Sequence, residues 1–296
     1  MTQLERRGLA ALRAVVGGRL AMRLASAYRD RILPTAEATT YRVDRRGRES
    51  RRRLEEMAGR YAGERCFIIG NGPSLNETDL SRLRGERTIA LNRGYLLFDR
   101  IGEPATFLVA VNRNVVEQFG SDLLAAGPTV FVSWRSRRHV PDGADVIFVR
   151  RAPSLTFSGD LAKGAWEGAT VTYLAIQVAF HLGFREVILI GVDHRFTTAG
   201  PPNQLVTSQG ADPNHFDPNY FGPGVKWQLP DLEMSERAYR LARDRFAADG
   251  RSIVDATVRG NLTVFPKVDF EAVTAKTTAD ASRPVEPPRL DPRRRR

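Results

Sequence analysis

From residue 65 onward, short apolar runs recur with longer mixed segments between them, at 66–70, 88–91, 106–111, 129–133, 146–149, 187–191 and 252–254. They are rich in Val, Ile and Phe, and several lack the alternation of a half-exposed strand, as expected of strands covered on both faces. The intervals are long enough for βα crossovers. The pattern therefore predicts an α/β protein with a doubly wound, mostly parallel sheet rather than a sandwich. Helices are predicted over 115–125, 171–182 and 232–248. The second is apolar on most faces, through Leu174, Ala175, Ile176, Val178, Ala179 and Phe180, which marks a central helix covered on both sides. The third has Asp231 ahead of it as a cap and Gly250 behind it as a stop.

The ends of the chain follow other rules. Leu9, Leu12, Val16, Leu20 and Leu24 recur at helical steps, so 9–24 reads as an amphipathic helix. Arg13, Arg19 and Arg23 interrupt it, and it never supplies the roughly 20 apolar residues that span a bilayer. Residues 35–60 read as a polar, arginine-rich connector ending in a short helix through Leu54, Met57 and Tyr61. Residues 283–296, with four prolines and four closing arginines, read as a disordered tail.

Composition narrows the function. The chain has 296 residues, 42% hydrophobic and 27% charged, which suits one large soluble body. The formal charge of +11 sits at the ends: residues 1–60 hold 15 Arg against 7 acidic residues, and 276–296 hold 7 basic against 3 acidic. The body between is close to neutral, so a basic groove and specific nucleic-acid binding are not expected. The ends suit phosphate, an acidic partner, a second copy of the chain, or an anionic membrane surface met through residues 1–35. The single cysteine, Cys66, lies in an apolar run and excludes a disulfide framework and a cysteine-cluster metal site. A reducing, cytoplasmic setting fits, with peripheral contact at the inner face of the membrane as an extension of it.

Candidate chemistry gathers where strands end. Phe67-Ile68-Ile69-Gly70-Asn71-Gly72-Pro73-Ser74-Leu75 is a strand running into a glycine turn, with Pro73 suited to the first turn of a helix. Such a turn presents backbone donors, with Asn71 and Ser74, to a phosphate or ribose; it also reads as an ordinary capped βα turn. Asn92 and Asn112 follow two further apolar runs. In a parallel sheet these asparagines would emerge with Asn71 at the carboxyl ends, where open α/β sheets bind ligands. Arg93 and Arg113 come next in the chain and suit either phosphate contact or solvation. Asp193 closes the strand-like run Val187-Ile188-Leu189-Ile190-Gly191-Val192 and suits a cation, a substrate hydroxyl or its own loop. The Pro- and Gly-rich stretch 195–230 reads as an irregular lid containing His215, a candidate general base or a plain hydrogen-bonded loop residue. Asp212, Asp217 and Asp231 are further acids that could approach Asp193. His-Glu-x-x-His, Gly-x-Ser-x-Gly, Walker A and Gly-x-Gly-x-x-Gly patterns are all missing.

The set formed by 67–75, Ala90-Leu91-Asn92-Arg93, 187–193, Asn214-His215-Phe216 and Tyr220-Phe221 resembles the 6-hydroxymethylpterin diphosphokinase MptE-like (DUF115) family over about 60–275. The glycine turn and the Gly-Val-Asp strand end also resemble the bacterial monofunctional sialyltransferases. The resemblance implies a Rossmann-like, GT-A-variant-like domain over 61–275, with 1–60 as a basic helical extension and connector and 276–296 as a disordered tail. It further implies that Gly70, Asn71, Gly72, Ser74, Asn92, Asn112 and Thr170 hold a nucleotide while His215 serves as base. The sialyltransferase likeness implies transfer from a nucleotide-sugar, such as a CMP-sugar, to a saccharide hydroxyl in surface-polysaccharide or glycoconjugate synthesis, with no essential metal. The arginine and the Ser-Gly pair of that family have no counterpart at Gly168-Ala169-Thr170-Val171-Thr172. The MptE-like name implies instead diphosphoryl transfer from ATP, with Mg²⁺ on Asp193. A non-catalytic nucleotide-binding module is the third reading.

Overall fold

The computed structural model describes residues 33–280 except Ser154, together with Leu20. The helix expected over 9–24, Leu20 apart, lies outside the described residues, as does the tail expected over 276–296 except for 276–280, which are not disordered but form the end of the helix Phe270–Asp280. Nine strands are described: β1 (Arg65–Ile69), β2 (Thr88–Leu91), β3 (Phe107–Ala110), β4 (Thr129–Ser133), β5 (Val146–Val149), β6 (Glu186–Ile190), β7 (Leu205–Thr207), β8 (Lys226–Gln228) and β9 (Ser252–Asp255). Seven of them form one parallel sheet in the order β5-β4-β3-β2-β1-β6-β9, while β7 and β8 make an antiparallel hairpin. The chain steps outward from β1 to β5, then returns to place β6 on the other side of β1. This reversal makes the sheet doubly wound and Rossmann-like, with its switch point between β1 and β6.

The helices are α1 (Leu33–Val43), α2 (Arg45–Met57), α3 (Phe98–Ile101), α4 (Arg113–Ala125), α5 (Val171–Leu182), α6 (Leu232–Ala248) and α7 (Phe270–Asp280). The two-residue period of the strands divides the core. Cys66 and Ile68 of β1 join the cluster beneath α5, and Phe67 and Ile69 join the one on the opposite face with Leu75, Leu108 and Val116. Every residue of α5 from Thr172 to Leu182 is buried, because the helix lies against β1–β3 and α6 covers it. The all-round apolar sequence of 171–182 thus has its cause in two-sided cover. Gly183, at φ +95°, ends α5 in the left-handed region, with its N–H bonded to Phe180 O at 3.1 Å. Asp231 caps α6 by accepting from Met234 N–H at 3.0 Å.

Residues 35–60, expected as a connector with one short helix, are almost wholly α1 and α2, and both pack on the β5 edge of the sheet. The buried face of α2 consists of Gly47, Ser50, Leu54 and Met57. Its helical spacing is regular, yet two of its four members are not apolar, so a hydrophobic pattern does not register it. Ser50 Oγ accepts from Phe148 N–H at 3.0 Å, and Tyr41 O–H donates to Phe148 O at 2.9 Å. These side chains satisfy backbone groups of the edge strand and so shield it from pairing with another chain.

The stretch 195–230 also departs from the irregular lid expected. It carries the β7–β8 hairpin and buries Phe216, Tyr220, Phe221 and Trp227. Phe216 N–H donates to Asn71 O at 3.0 Å, Asn76 Nδ2 donates to Phe216 O at 2.8 Å, and Gln118 exchanges two hydrogen bonds with the Lys226 backbone. The segment is docked over the carboxyl ends of the strands. No helix among the described residues is long and apolar enough to cross a membrane.

Candidate functional site

The site is assembled where β1 and β6 end. Gly70 N–H donates to Ile190 O at 2.8 Å and Gly72 N–H to Gly191 O at 2.9 Å, so the two turns lie backbone against backbone. A Cβ on Gly70 would overlap Gly191 O, which is why only glycine fits there. Asp193 follows on the β6 side. Its Oδ1 accepts from Ser74 N–H at 3.1 Å and its Oδ2 from Ser74 Oγ–H at 2.6 Å. A Cβ on Gly72 would overlap that carboxylate. Asp193, buried, therefore clamps the glycine turn to the end of β6.

A cavity of about 170 Å³ opens above this clamp. Gly70, Asn71, Gly72, Asn92, Thr170, Asp193 and His215 all line it, so most residues singled out from the sequence come together there. Asn71 donates through Nδ2 to Leu91 O at 3.1 Å, while its Oδ1 is buried without a partner; Asn92 Oδ1 is buried and unpartnered as well. Asn92 takes φ +49°, a left-handed conformation that asparagine tolerates, immediately after β2. An unsatisfied buried acceptor costs about 1–3 kcal/mol, so these two oxygens are poised to receive a ligand's or water's hydrogens. Thr170 caps α5, its Oγ1 accepting from Thr172 N–H at 3.3 Å, and this first turn forms one wall. The wall brings the positive end of a 12-residue helix to the cavity. Tyr239 lies 3.4 Å from Thr170 Oγ1, and burial pushes its phenol upward, so it stays a neutral O–H. Arg195 lines the mouth and has no ion pair among the described residues.

His215 is held from two directions. Its Nδ1 donates to Asp212 Oδ2 at 2.6 Å, and its ring stacks on Tyr220 with centroids 4.1 Å apart. Asp212 is buried and fixed in turn, Oδ1 by Asn214 N–H at 2.9 Å and Oδ2 by Phe221 N–H at 3.2 Å. Nε2 has no protein partner among the described residues. A carboxylate on Nδ1 fixes the tautomer with Nε2 free, which is the arrangement a general base requires. Asp212, expected among the acids near Asp193, pairs with His215 instead, and its position three residues before His215 is the sequence signal for that pairing. A second imidazole–carboxylate pair has no such signal: His194, at φ +53°, lines the cavity with Nε2 3.2 Å from Glu236 Oε1.

Three of the expected groupings do not form. Asn112 is outside the cavity lining; its Oδ1 accepts from Asn114 N–H at 2.9 Å and caps α4. Arg93 is committed to the 195–230 segment, donating to the Asn219 and Tyr220 carbonyls while its guanidinium lies 3.9 Å from the Phe119 centroid. Arg113 lines a different depression. Asp217 and Asp231 cap local turns rather than approaching Asp193.

Fold and site together define a doubly wound α/β protein with a cavity at its switch point and, at the cavity wall, a partly exposed imidazole paired with a buried carboxylate. No protein-family model matches the chain, and no curated protein matches it. Among solved structures it is similar to the MAf glycosyltransferase from Magnetospirillum magneticum AMB-1, at 17% identity and a TM-score of 0.46. That match covers 78% of this chain and 40% of the other, so the chain spans about two fifths of that protein's length. A protein from Lactobacillus plantarum matches at 20% identity over 47% of each chain, with a TM-score of 0.21.

Proposed function

We propose that the protein is a glycosyltransferase that moves a sugar from a nucleotide-sugar donor to a saccharide hydroxyl. The observation that carries this reading is the His215–Asp212 pair on the same cavity as the glycine turn and the α5 N-terminus. A base for a hydroxyl and a cradle for a departing phosphate are the two parts such a displacement needs. The Asn71 and Asn92 oxygens would accept from the base or ribose. His215 Nε2 would take the acceptor's proton as its oxygen attacks the anomeric carbon, and the bond to the nucleotide phosphate would break. The α5 N–H groups, Thr170, the Tyr239 hydroxyl and Arg195 would meet the charge that develops on the leaving phosphate. At about 170 Å³ the cavity is smaller than the roughly 300–1,000 Å³ of ordinary ligand sites. Only part of such a donor would fit within it.

Diphosphoryl transfer from ATP would need Asp193 as a Mg²⁺ ligand. Both oxygens of that carboxylate already accept from Ser74, and no group of three potential metal-binding side chains occurs among the described residues. With both oxygens so engaged, the carboxylate does not suit the ion. The discriminating experiment is a panel of CMP-, UDP-, GDP- and TDP-sugars with saccharide acceptors, run beside ATP with hydroxymethylpterin. Acceptor-dependent nucleotide release from one sugar donor is expected. AMP formation with the pterin would overturn the reading, and binding without turnover would favour a non-catalytic module.

A further inference from the structure

We infer that a second site, a basic basin on the same edge of the sheet, binds a phosphoryl group carried by the acceptor; the word acceptor rests on the transferase reading above. The basin is lined by Glu37, Arg113, Arg135, Arg137, Arg138 and His139. Four arginines and a histidine line it together with a single acidic residue, Glu37, which only Arg135 of the four reaches. The 3₁₀ turn Trp134–His139 leaves the carboxyl end of β4, and Arg113 begins α4 just beyond the carboxyl end of β3. The basin thus continues the ligand-binding edge on which the cavity occupies the ends of β6, β1 and β2.

The basin is held rigidly although its arginines reach solvent. Trp134 is fully buried, donates through its indole N–H to Thr40 Oγ1 at 3.1 Å, and packs edge-on against Tyr41 and Phe148. Arg46 of α2 donates to the Arg137 and Val140 carbonyls at 3.1 and 3.3 Å, pinning the turn from beneath. Arg137 lies over the Trp134 ring at 4.6 Å, which fixes its guanidinium. The first two helices, read from sequence as a connector, therefore build this turn's foundation.

The positive charge is only partly consumed internally, by Glu37 and Glu117. Arg138 has no hydrogen bond or ion pair among the described residues, and Arg113 reaches only Glu117, at 3.7 Å on an exposed face. Arg135 lies 3.7 Å from Glu37, whose carboxyl is pushed upward chiefly by burial, against the pull of Arg151 and Arg135. Guanidinium forks match the oxygens of a phosphate in pairs, and several forks around one point suit a dianion better than a single carboxylate. A soluble phosphorylated saccharide and a lipid phosphate head group share this chemistry.

The test titrates the full chain with inorganic phosphate by calorimetry at low ionic strength, beside an R113A/R138A variant and an R113K/R138K variant. The alanine variant should bind phosphate at least about tenfold more weakly, with an unchanged thermal midpoint and CMP affinity within about twofold. The lysine variant should fall between, because charge remains while the paired fork is lost. Equal phosphate affinity in the wild type and the alanine variant would overturn the proposal. Flotation with phosphatidylglycerol–phosphatidylcholine vesicles separates the sources: a loss confined to the alanine variant supports a lipid head group. Unchanged flotation with weakened phosphate binding supports a soluble acceptor. If no donor releases nucleotide while R113A/R138A still weakens phosphate binding, the transferase reading fails and the anion site stands.

Discussion

Replacing Asp212 with Asn preserves the side chain's shape but removes its charge and one acceptor oxygen. The native carboxylate accepts from His215 Nδ1–H at 2.6 Å, Asn214 N–H at 2.9 Å and Phe221 N–H at 3.2 Å. With the amide oxygen turned toward Asn214, the NH₂ group faces His215. The imidazole must then accept at Nδ1 and carry its proton on Nε2, the nitrogen that a base needs free. With the oxygen turned toward His215, the tautomer survives, but Asn214 N–H is orphaned and the imidazolium formed during reaction has no counter-charge. Either orientation leaves a buried donor unpaired, at about 1–3 kcal/mol of stability. Turnover should fall by about 10²- to 10⁴-fold, equivalent to about 3–5 kcal/mol in the barrier. The assay is single-turnover nucleotide release for Asp212→Asn, His215→Asn and the double variant. Because the two side chains act as a unit, the double variant should lose little beyond His215→Asn alone. An Asp212→Asn enzyme within about threefold of wild type, with chemistry rate-limiting, would refute the dyad and leave Asp212 as a loop brace.

Gly72→Ala should destabilise the fold by about 2–4 kcal/mol in urea unfolding, since its Cβ displaces Asp193 from both Ser74 hydrogen bonds; a loss under about 1 kcal/mol would mean that the clamp is slack. Arg93→Ala removes the guanidinium from Phe119 and from the Asn219 carbonyl, so proteolysis within 195–230 should quicken well before global unfolding. Equal cleavage rates would show that the segment is held by other contacts. The Glu37 carboxyl is raised on folding, so its neutral form favours the fold and that stability is lost as pH rises through the folded value. Glu37→Gln should accordingly melt above wild type at neutral pH, with the gain vanishing as pH falls to the ordinary carboxylate range. A Gln variant that melts lower at neutral pH contradicts the sign.

The sheet was legible because its strands are buried on both faces: 88–91, 129–133 and 146–149 coincide with β2, β4 and β5, and 66–70 and 187–191 differ from β1 and β6 by one residue at each end. The cap of α6, Asp231, was equally local. What stayed hidden depends on distant partners. Ser50 and Gly47 face the core because Phe148 and Tyr41 meet them there, and no apolar period records that. Asn112 resembles Asn71 and Asn92 in sequence, yet a helix begins directly after it and takes its side chain as a cap. Arg93 looks like a phosphate ligand until Tyr220 and Asn219, over 120 residues away, claim it. The turn 70–75 and His215 could be named from sequence, but the Asp212 and Ser74–Asp193 contacts that make a site of them are three-dimensional.

The central claim, a nucleotide-sugar cavity served by His215, is tested most directly by measuring donor affinity and turnover together for wild type and His215→Asn. The account predicts turnover lowered by about 10²- to 10⁴-fold with donor affinity within a few fold, because the imidazole moves the acceptor's proton and does not hold the donor. Near-normal turnover in His215→Asn, with chemistry rate-limiting, would contradict it and leave His215 a hydrogen-bonded loop residue braced by Asp212.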